Sequence, residues 1–315
     1  MKKFIIIFVI GIFLLAFIVG KCNDDEMDEI AETEEVEHVK EDGYKDDIKE
    51  TVVDVPEDNK QPLVLNTSAL EIPRTLSSVP EQILVRIAYT TSYNYETRCP
   101  NWVAWSLVRE HTSGPYPRNG VPYYADDGSA YGIGKVSNTT VKNSYIEDLE
   151  CKEHRQLLTD WSSEYNMSHG HICPAGDNNW DRAAINQTFL LSNICPQNDR
   201  LNNGGWRKLE EKCRTWANKY GEIFIVSGPI FRNTQHRKLG EILIPEAFFK
   251  VVLCMKGNPK AIGFIYENDS SSQPMADQVC SVDDVENATG FDFFYNLPDD
   301  IENEIESQSD FNNWK

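Results

Sequence analysis

The chain has 315 residues, 40% apolar and 11% aromatic, with a formal net charge of −20. That is enough apolar material for one large or two small folded domains, and it excludes a chain disordered throughout. Taken whole, the charge argues against a polyanionic partner, but it is concentrated at the two ends: residues 22–60 hold 17 acidic and 4 basic side chains, and residues 281–315 hold 10 acidic and 1 basic. The middle is close to neutral, and residues 200–240 within it carry nine basic side chains against three acidic ones, a locally cationic surface that suits phosphate.

In chain order, Lys2 and Lys3 precede an apolar run over residues 4–19, too short for a membrane span of about 20 residues and typical of an export signal. Residues 1–21 are therefore expected to be a signal or lipoprotein leader, and the protein to be exported to the cell envelope or secreted. Val19, Gly20 and Cys22 resemble a lipobox, with Lys21 where that pattern wants a small residue. Lipid attachment at Cys22 with membrane anchoring, plain signal cleavage and an uncleaved anchor all fit. Residues 22–60, rich in Glu, Asp and Lys, are expected to be an acidic disordered tether, followed by a single domain over 61–315 with its core at about 83–294. Seven cysteines lie beyond Cys22, an odd number, so at least one thiol is unpaired and no connectivity follows.

Within the domain, Ile83–Tyr89 and Trp102–Val108 read as strands, and Gly and Pro punctuate residues 114–134 as loop. Trp206, Leu209, Cys213, Trp216 and Ala217 recur at helical spacing, which predicts a helix over 205–219 with one buried face, stopped by Gly221. Residues 222–231, 248–254 and 261–266 read as further strands. Strands and helices do not alternate strictly, so the expected class is α+β and not a doubly wound sheet.

Residues 167–214 carry the chemistry. His169 and His171 stand one residue apart, Asn193 and Asn202 follow, and the predicted helix brings Glu210 and Arg214, four apart and able to meet. Histidine suits base chemistry near neutral pH, and Asn offers the hard oxygen that Mg²⁺ accepts. A base, a metal and cations for the phosphate are what phosphodiester hydrolysis needs together. Singly, each has a plainer reading: the histidines as loop or core, the asparagines as turn or cap, Glu210 with Arg214 as a surface pair.

Order and spacing add to this. Ser168, His169, Gly170 and His171 precede Ile172, Cys173, Pro174 and Ala175; then come Ser192, Asn193, Pro196, Gln197, Asn202, Trp206, Glu210 and Arg214. The segment resembles the DNA/RNA non-specific endonuclease family of ββα-metal nucleases. The resemblance implies a ββα-metal nuclease core with a mixed, largely antiparallel sheet flanked by helices. It also implies a metal-dependent hydrolase acting on DNA and RNA without sequence preference, with Mg²⁺ as cofactor and Mn²⁺ as the alternative ion. It casts His171 as general base, Asn202 as metal ligand and Glu210 as a carboxylate holding a metal-bound water. Asn193 and Arg214 then position the site and the phosphate. Two positions depart from the family pattern: Ser168 stands for Asp and His169 for Arg, which removes a permanent cation. If His169 replaces that cation as a phosphate contact it must be protonated while His171 is neutral, which predicts a bell-shaped pH profile.

Two rival readings differ in class. One keeps the fold but drops catalysis, leaving a surface lipoprotein that binds nucleic acid or another partner. The other gathers His154, His169, His171 and Cys173 into a transition-metal site. DNA versus RNA preference and oligomeric state have no signature in the sequence.

Overall fold

The computed structural model describes residues 69–74, 76–118, 145–161 and 167–315, with short strand pairs at Glu50–Val52/Val64–Asn66 and Ser129–Ala130/Gly134–Lys135. The leader, and nearly all of the acidic segment expected to be a tether, lie outside the described residues. The described residues all belong to one compact unit, Asp46–Lys315.

Its centre is a seven-stranded sheet built from β1 (Gln82–Val85), β2 (Thr90–Asn94), β3 (Cys99–Val108), β6 (Glu222–Ile230), β7 (Ala247–Cys254), β8 (Lys260–Glu267) and β9 (Val279–Cys280). Two further strands, β4 (Met167–His171) and β5 (Ile194–Asn198), pair with each other outside it. The sheet order is β9-β8-β7-β6-β3-β2-β1, and every pair is antiparallel. The central strands are apolar at nearly every position because both faces are covered. Side chains alternate across a strand. In β3, Val103, Trp105 and Leu107 join one core cluster while Trp102 and Ala104 join the other; in β6, Ile223 and Ile225 oppose Phe224 and Val226.

The first of these faces is covered by α2 (Arg207–Tyr220), whose Leu209, Cys213, Trp216 and Ala217 are buried together with Trp206 just before it. It ends at Gly221, which adopts φ 95°. The opposite face is covered by α3 (Val282–Thr289) and α4 (Asp299–Glu306) through Val282, Val285 and Ile305. Both helices fall in the acidic C-terminal stretch, where charge obscures the apolar stripe. At the far edge β1 is shorter than the sequence suggests. Arg86 turns inward to a buried ion pair with Asp148 at 2.6 Å, and its N–H closes a turn onto the Tyr89 carbonyl. All seven cysteines of the domain are free thiols, six of them buried, so they serve as small core residues.

Candidate active site

The β4–β5 ladder carries the histidines, and its register sets Gly170 opposite Cys195 and His171 opposite Ile194. Gly170 has no alternative: a Cβ there would sit 2.5 Å from the Gln197 Cβ. Between the two strands the chain makes an excursion containing α1 (Arg182–Gln187), capped by the Asp181 carboxylate, which accepts from the Ala183 and Ala184 amides. Asn193 closes this excursion. Its Oδ1 accepts from the Cys173 N–H at 2.9 Å, and its Nδ2 donates to the Cys173 and Thr188 carbonyls at 2.9 Å each. Fully buried, it fixes the backbone just after His171 and is not part of the cavity wall. Ser168, where the family pattern has Asp, donates to the Asp199 carboxylate at the start of the helical run that leads into α2.

That run, 199–220, is regular except at Asn202–Trp206, where it widens into a π-turn with Gly204 at φ −111°, ψ −105°. Such widening often marks a functional site. It presents Asn202 to a cavity of about 420 Å³ that His171, Glu210, Arg214, Arg207 and Arg118 also line. Five of these come from the hairpin and helix that the motif defines; Arg118 comes from the loop after β3. Sequence reasoning missed Arg118, and its only signal was a basic residue in a Gly/Pro-rich loop.

His171 is 6% exposed, set edge-on to Phe189 with ring centroids 5.0 Å apart. Its Nε2 has no hydrogen-bond partner. Burial first, then the Arg118 charge, holds this imidazole well below its ordinary pKa, so it is neutral at pH 7, while a hydrogen bond to the His169 backbone pulls weakly the other way. His169 is not brought to the cavity. It is sandwiched between Trp161 at 3.7 Å and Tyr145 at 4.0 Å, and burial lowers it to about 4. Desolvation favours the neutral ring, so near neutral pH it is not the protonated phosphate contact expected of it.

Arg214 and Glu210 do not pair with each other in the expected way. Arg214 Nη1 donates to Asp177 Oδ1 at 2.7 Å, and Asp177 Oδ2 accepts from Trp105 Nε1 at 3.2 Å. Gly176 makes room for this, since a Cβ there would lie 2.9 Å from Arg214 Nη1. The pair formed one turn apart on α2 is instead Arg207 with Glu211, at 3.2 Å. Glu210 stays with the cavity, and burial raises its carboxyl to about 7 against the opposing charge of Lys250. Lys250 projects from β7 beneath the site. It is fully buried, its Nζ has no hydrogen-bond partner, and it lies 4.7 Å from the Trp105 ring and 4.8 Å from that of Trp206. A lysine in an otherwise apolar strand was the signal for it. The four-residue His/Cys metal site is not formed: among the described residues the one His/Cys/Asp/Glu group close enough to hold an ion lies elsewhere.

The hairpin, its excursion and the helix that follows, closing on a cavity with a neutral histidine, an amide, a carboxyl and arginines, define a ββα-metal nuclease core on a large antiparallel sheet. The chain belongs to the DNA/RNA non-specific endonuclease family, whose model matches residues 66–300. It is 29% identical over 231 residues to the mitochondrial nuclease EXOG of Xenopus laevis, covering 68% of this chain and 58% of that protein. It is 28% identical over 229 residues to nuclease C1 of Cunninghamella echinulata var. echinulata, covering 68% of this chain and 83% of that protein. The chain thus spans less than two thirds of the length of the EXOG proteins of Xenopus laevis and Danio rerio. The fold matches that of a chain in the crystal structure of the EndoG/EndoGI complex, with a TM-score of 0.56, 19% identity, and coverage of 69% of this chain and 87% of that one.

Proposed function

We propose that the protein is an exported, Mg²⁺-dependent endonuclease that hydrolyses phosphodiester bonds of DNA and RNA without sequence preference. The observation that carries this reading is His171: a buried imidazole, neutral near pH 7, that lines a cavity shared with Asn202, Glu210 and three arginines. A general base must be neutral and must have a free nitrogen for the proton it takes from water. The ring of His171 packs edge-on to Phe189.

The residues fit a hard divalent ion. Asn202 offers an amide oxygen and Glu210 a carboxylate, and the cavity has room for an ion that keeps most of its waters. Asn202 would hold it directly and Glu210 through a water; when bound, it supplies Lewis-acid stabilisation of charge on the phosphodiester. The protein's own work is otherwise positional. Asn193 holds the loop behind His171, Asp177 pins one side of Arg214, and Arg207, Arg214 and Arg118 give the phosphate cationic neighbours. Contacts limited to phosphate and sugar carry no sequence information, in keeping with a non-specific enzyme. Arg118 gives the cavity a guanidinium despite the loss of the family Arg at position 169.

Export rests on the leader sequence, and lipid attachment at Cys22 would make the acidic segment a tether at the membrane. Asn202→Ala tests the metal reading. It should abolish Mg²⁺-dependent cleavage and weaken Mg²⁺ binding measured by calorimetry, with far-ultraviolet dichroism unchanged; parental activity in that variant would exclude Asn202 as the ligand.

A further inference from the structure

The face of the sheet turned away from the cavity carries a second group of ionisable side chains. Asp283 and Glu286 lie one turn apart on α3, and Glu306 is the last residue of α4. One donor oxygen from each lies within 4.8 Å of the others. Among the described residues no other group of three His, Cys, Asp or Glu is so assembled, and none of these three lines the nuclease cavity.

Carboxylates gathered at a surface are ordinary, but Glu306 is not at the surface. The cluster runs from Asp283, whose side chain reaches the surface, through half-buried Glu286 to Glu306, which is 5% exposed. Glu306 Oε1 is buried and has no hydrogen-bond partner. The largest charge effects on Glu306 come from Glu286, Glu302, Asp283 and Asp292, all of the same sign. Arg74, the cation nearby, is engaged with Asp292 at 2.9 Å. Burying a carboxylate among like charges without a counter-ion is costly. Burial and these neighbours push Glu306 up to about 9 and Glu286 up to about 7. The arrangement is also held in place. Ser281 and Asp284 form a reciprocal cap on α3, Glu286 Oε1 accepts from the Phe293 N–H at 2.8 Å, and Ile305, beside Glu306, is in the core.

We infer that Asp283, Glu286 and Glu306 form a binding site for a hard divalent cation of the calcium type, which ties α3 to α4. The donor set decides the class. All three are carboxylates, with no imidazole or thiolate, so the soft and borderline metals have no preferred ligand here. Mg²⁺ sheds water reluctantly and usually takes one or two carboxylates, whereas Ca²⁺ accepts six to eight oxygens in flexible geometry, which three converging carboxylates and a few waters can supply. The gradient of exposure gives the ion a way in, with Asp283 at the rim and Glu306 at the bottom. Its role would be structural, holding α3 against α4.

The test uses the full chain carrying Asn202→Ala, so that an ion in the nuclease cavity does not report. Thermal unfolding is followed in about 10 mM CaCl₂ and in NaCl of equal ionic strength. For Kd values of order 10⁻⁴–10⁻³ M, the melting temperature should rise by about 3–8 °C in calcium. Adding Glu306→Gln or Asp283→Asn should remove the rise. Because the Asp283 side chain reaches the surface, its variant decides the matter if the Glu306 variant does not fold. No rise in the Asn202→Ala protein, or an equal rise after Asp283→Asn, would overturn the site; an equal rise with MgCl₂ would overturn the calcium assignment.

Discussion

The two faces of the central sheet treat buried carboxyl groups in opposite ways. On the face that carries α2, each acid near the cavity has a cation facing it: Asp177 has Arg214 at 2.7 Å, and Glu210 feels Lys250 and Arg214. On the face that carries α3 and α4, Asp283, Glu286 and Glu306 meet with no cation among them, and Glu306 is pushed up to about 9 where Glu210 reaches only about 7. Burial raises both. Glu286, which accepts from the Phe293 N–H, stops at about 7 with no cation, so an opposing charge is one of two ways to limit the rise, and the nuclease face uses it on Glu210 and Asp177.

The largest effect that would sharpen this comparison is at His171. His171→Ala should lower cleavage by about 10²–10⁴-fold while leaving the affinity for a short oligonucleotide nearly unchanged, because a general base acts in the transition state and adds little to ground-state binding. Single-turnover rates beside a filter-binding titration measure the two quantities separately.

The comparison itself can be broken at Lys250. Lys250→Met fills the same space between Trp105 and Trp206 but removes the cation that opposes the rise of Glu210. If ionised Glu210 is the active form, parental activity climbs as pH rises through about 7. Removing Lys250 raises that carboxyl further, so the climb should move to higher pH, with a loss of roughly fivefold at pH 7 for a shift of one unit. A pH–rate curve that superimposes on the parent would show that Lys250 serves only packing. A buried charge replaced by an apolar side chain of similar size is often neutral in stability, so the fold should persist.

The smallest effect belongs to His169. Lying between Trp161 and Tyr145 and lowered to about 4, it is neutral over the whole working range. Above its folded-state value it carries no charge to lose, so no alkaline fall in activity arises from it, contrary to the bell shape that its position in the motif suggests. His169→Phe should keep the stack, change the rate by less than about threefold, and leave the pH profile unchanged. An alkaline limb present in the parent and absent in this variant would restore His169 as a phosphate contact.

How much of this was legible in the sequence depends on how local each feature is. The strands at 102–108, 222–231, 248–254 and 261–266 and the helix ending at Gly221 appear within a residue or a few of where their apolar patterns put them, because continuous or helical spacing is a local signal. The β4–β5 hairpin was not visible as strands, since Ser-His-Gly-His and Ile-Cys-Pro-Gln lack alternation and are held by side chains such as Asn193 and Asn268. At the site, His171, Asn202, Glu210 and Arg214 do line one cavity, as their order suggested. Arg214's partner Asp177, and Lys250 beneath Glu210, are 37 and 40 residues away from the helix residues they act on, so no spacing rule links them. The burial that lowers His169 involves Tyr145 and Trp161, again outside the motif.

The most direct test of the central claim is to incubate the full chain, at matched ionic strength, with supercoiled plasmid and with a structureless RNA, in Mg²⁺ and in excess chelator. The account predicts that both polymers are degraded to unspecific fragments in Mg²⁺ and that neither is cut with chelator present. Full cleavage in excess chelator, or intact plasmid and intact RNA in Mg²⁺, would contradict it.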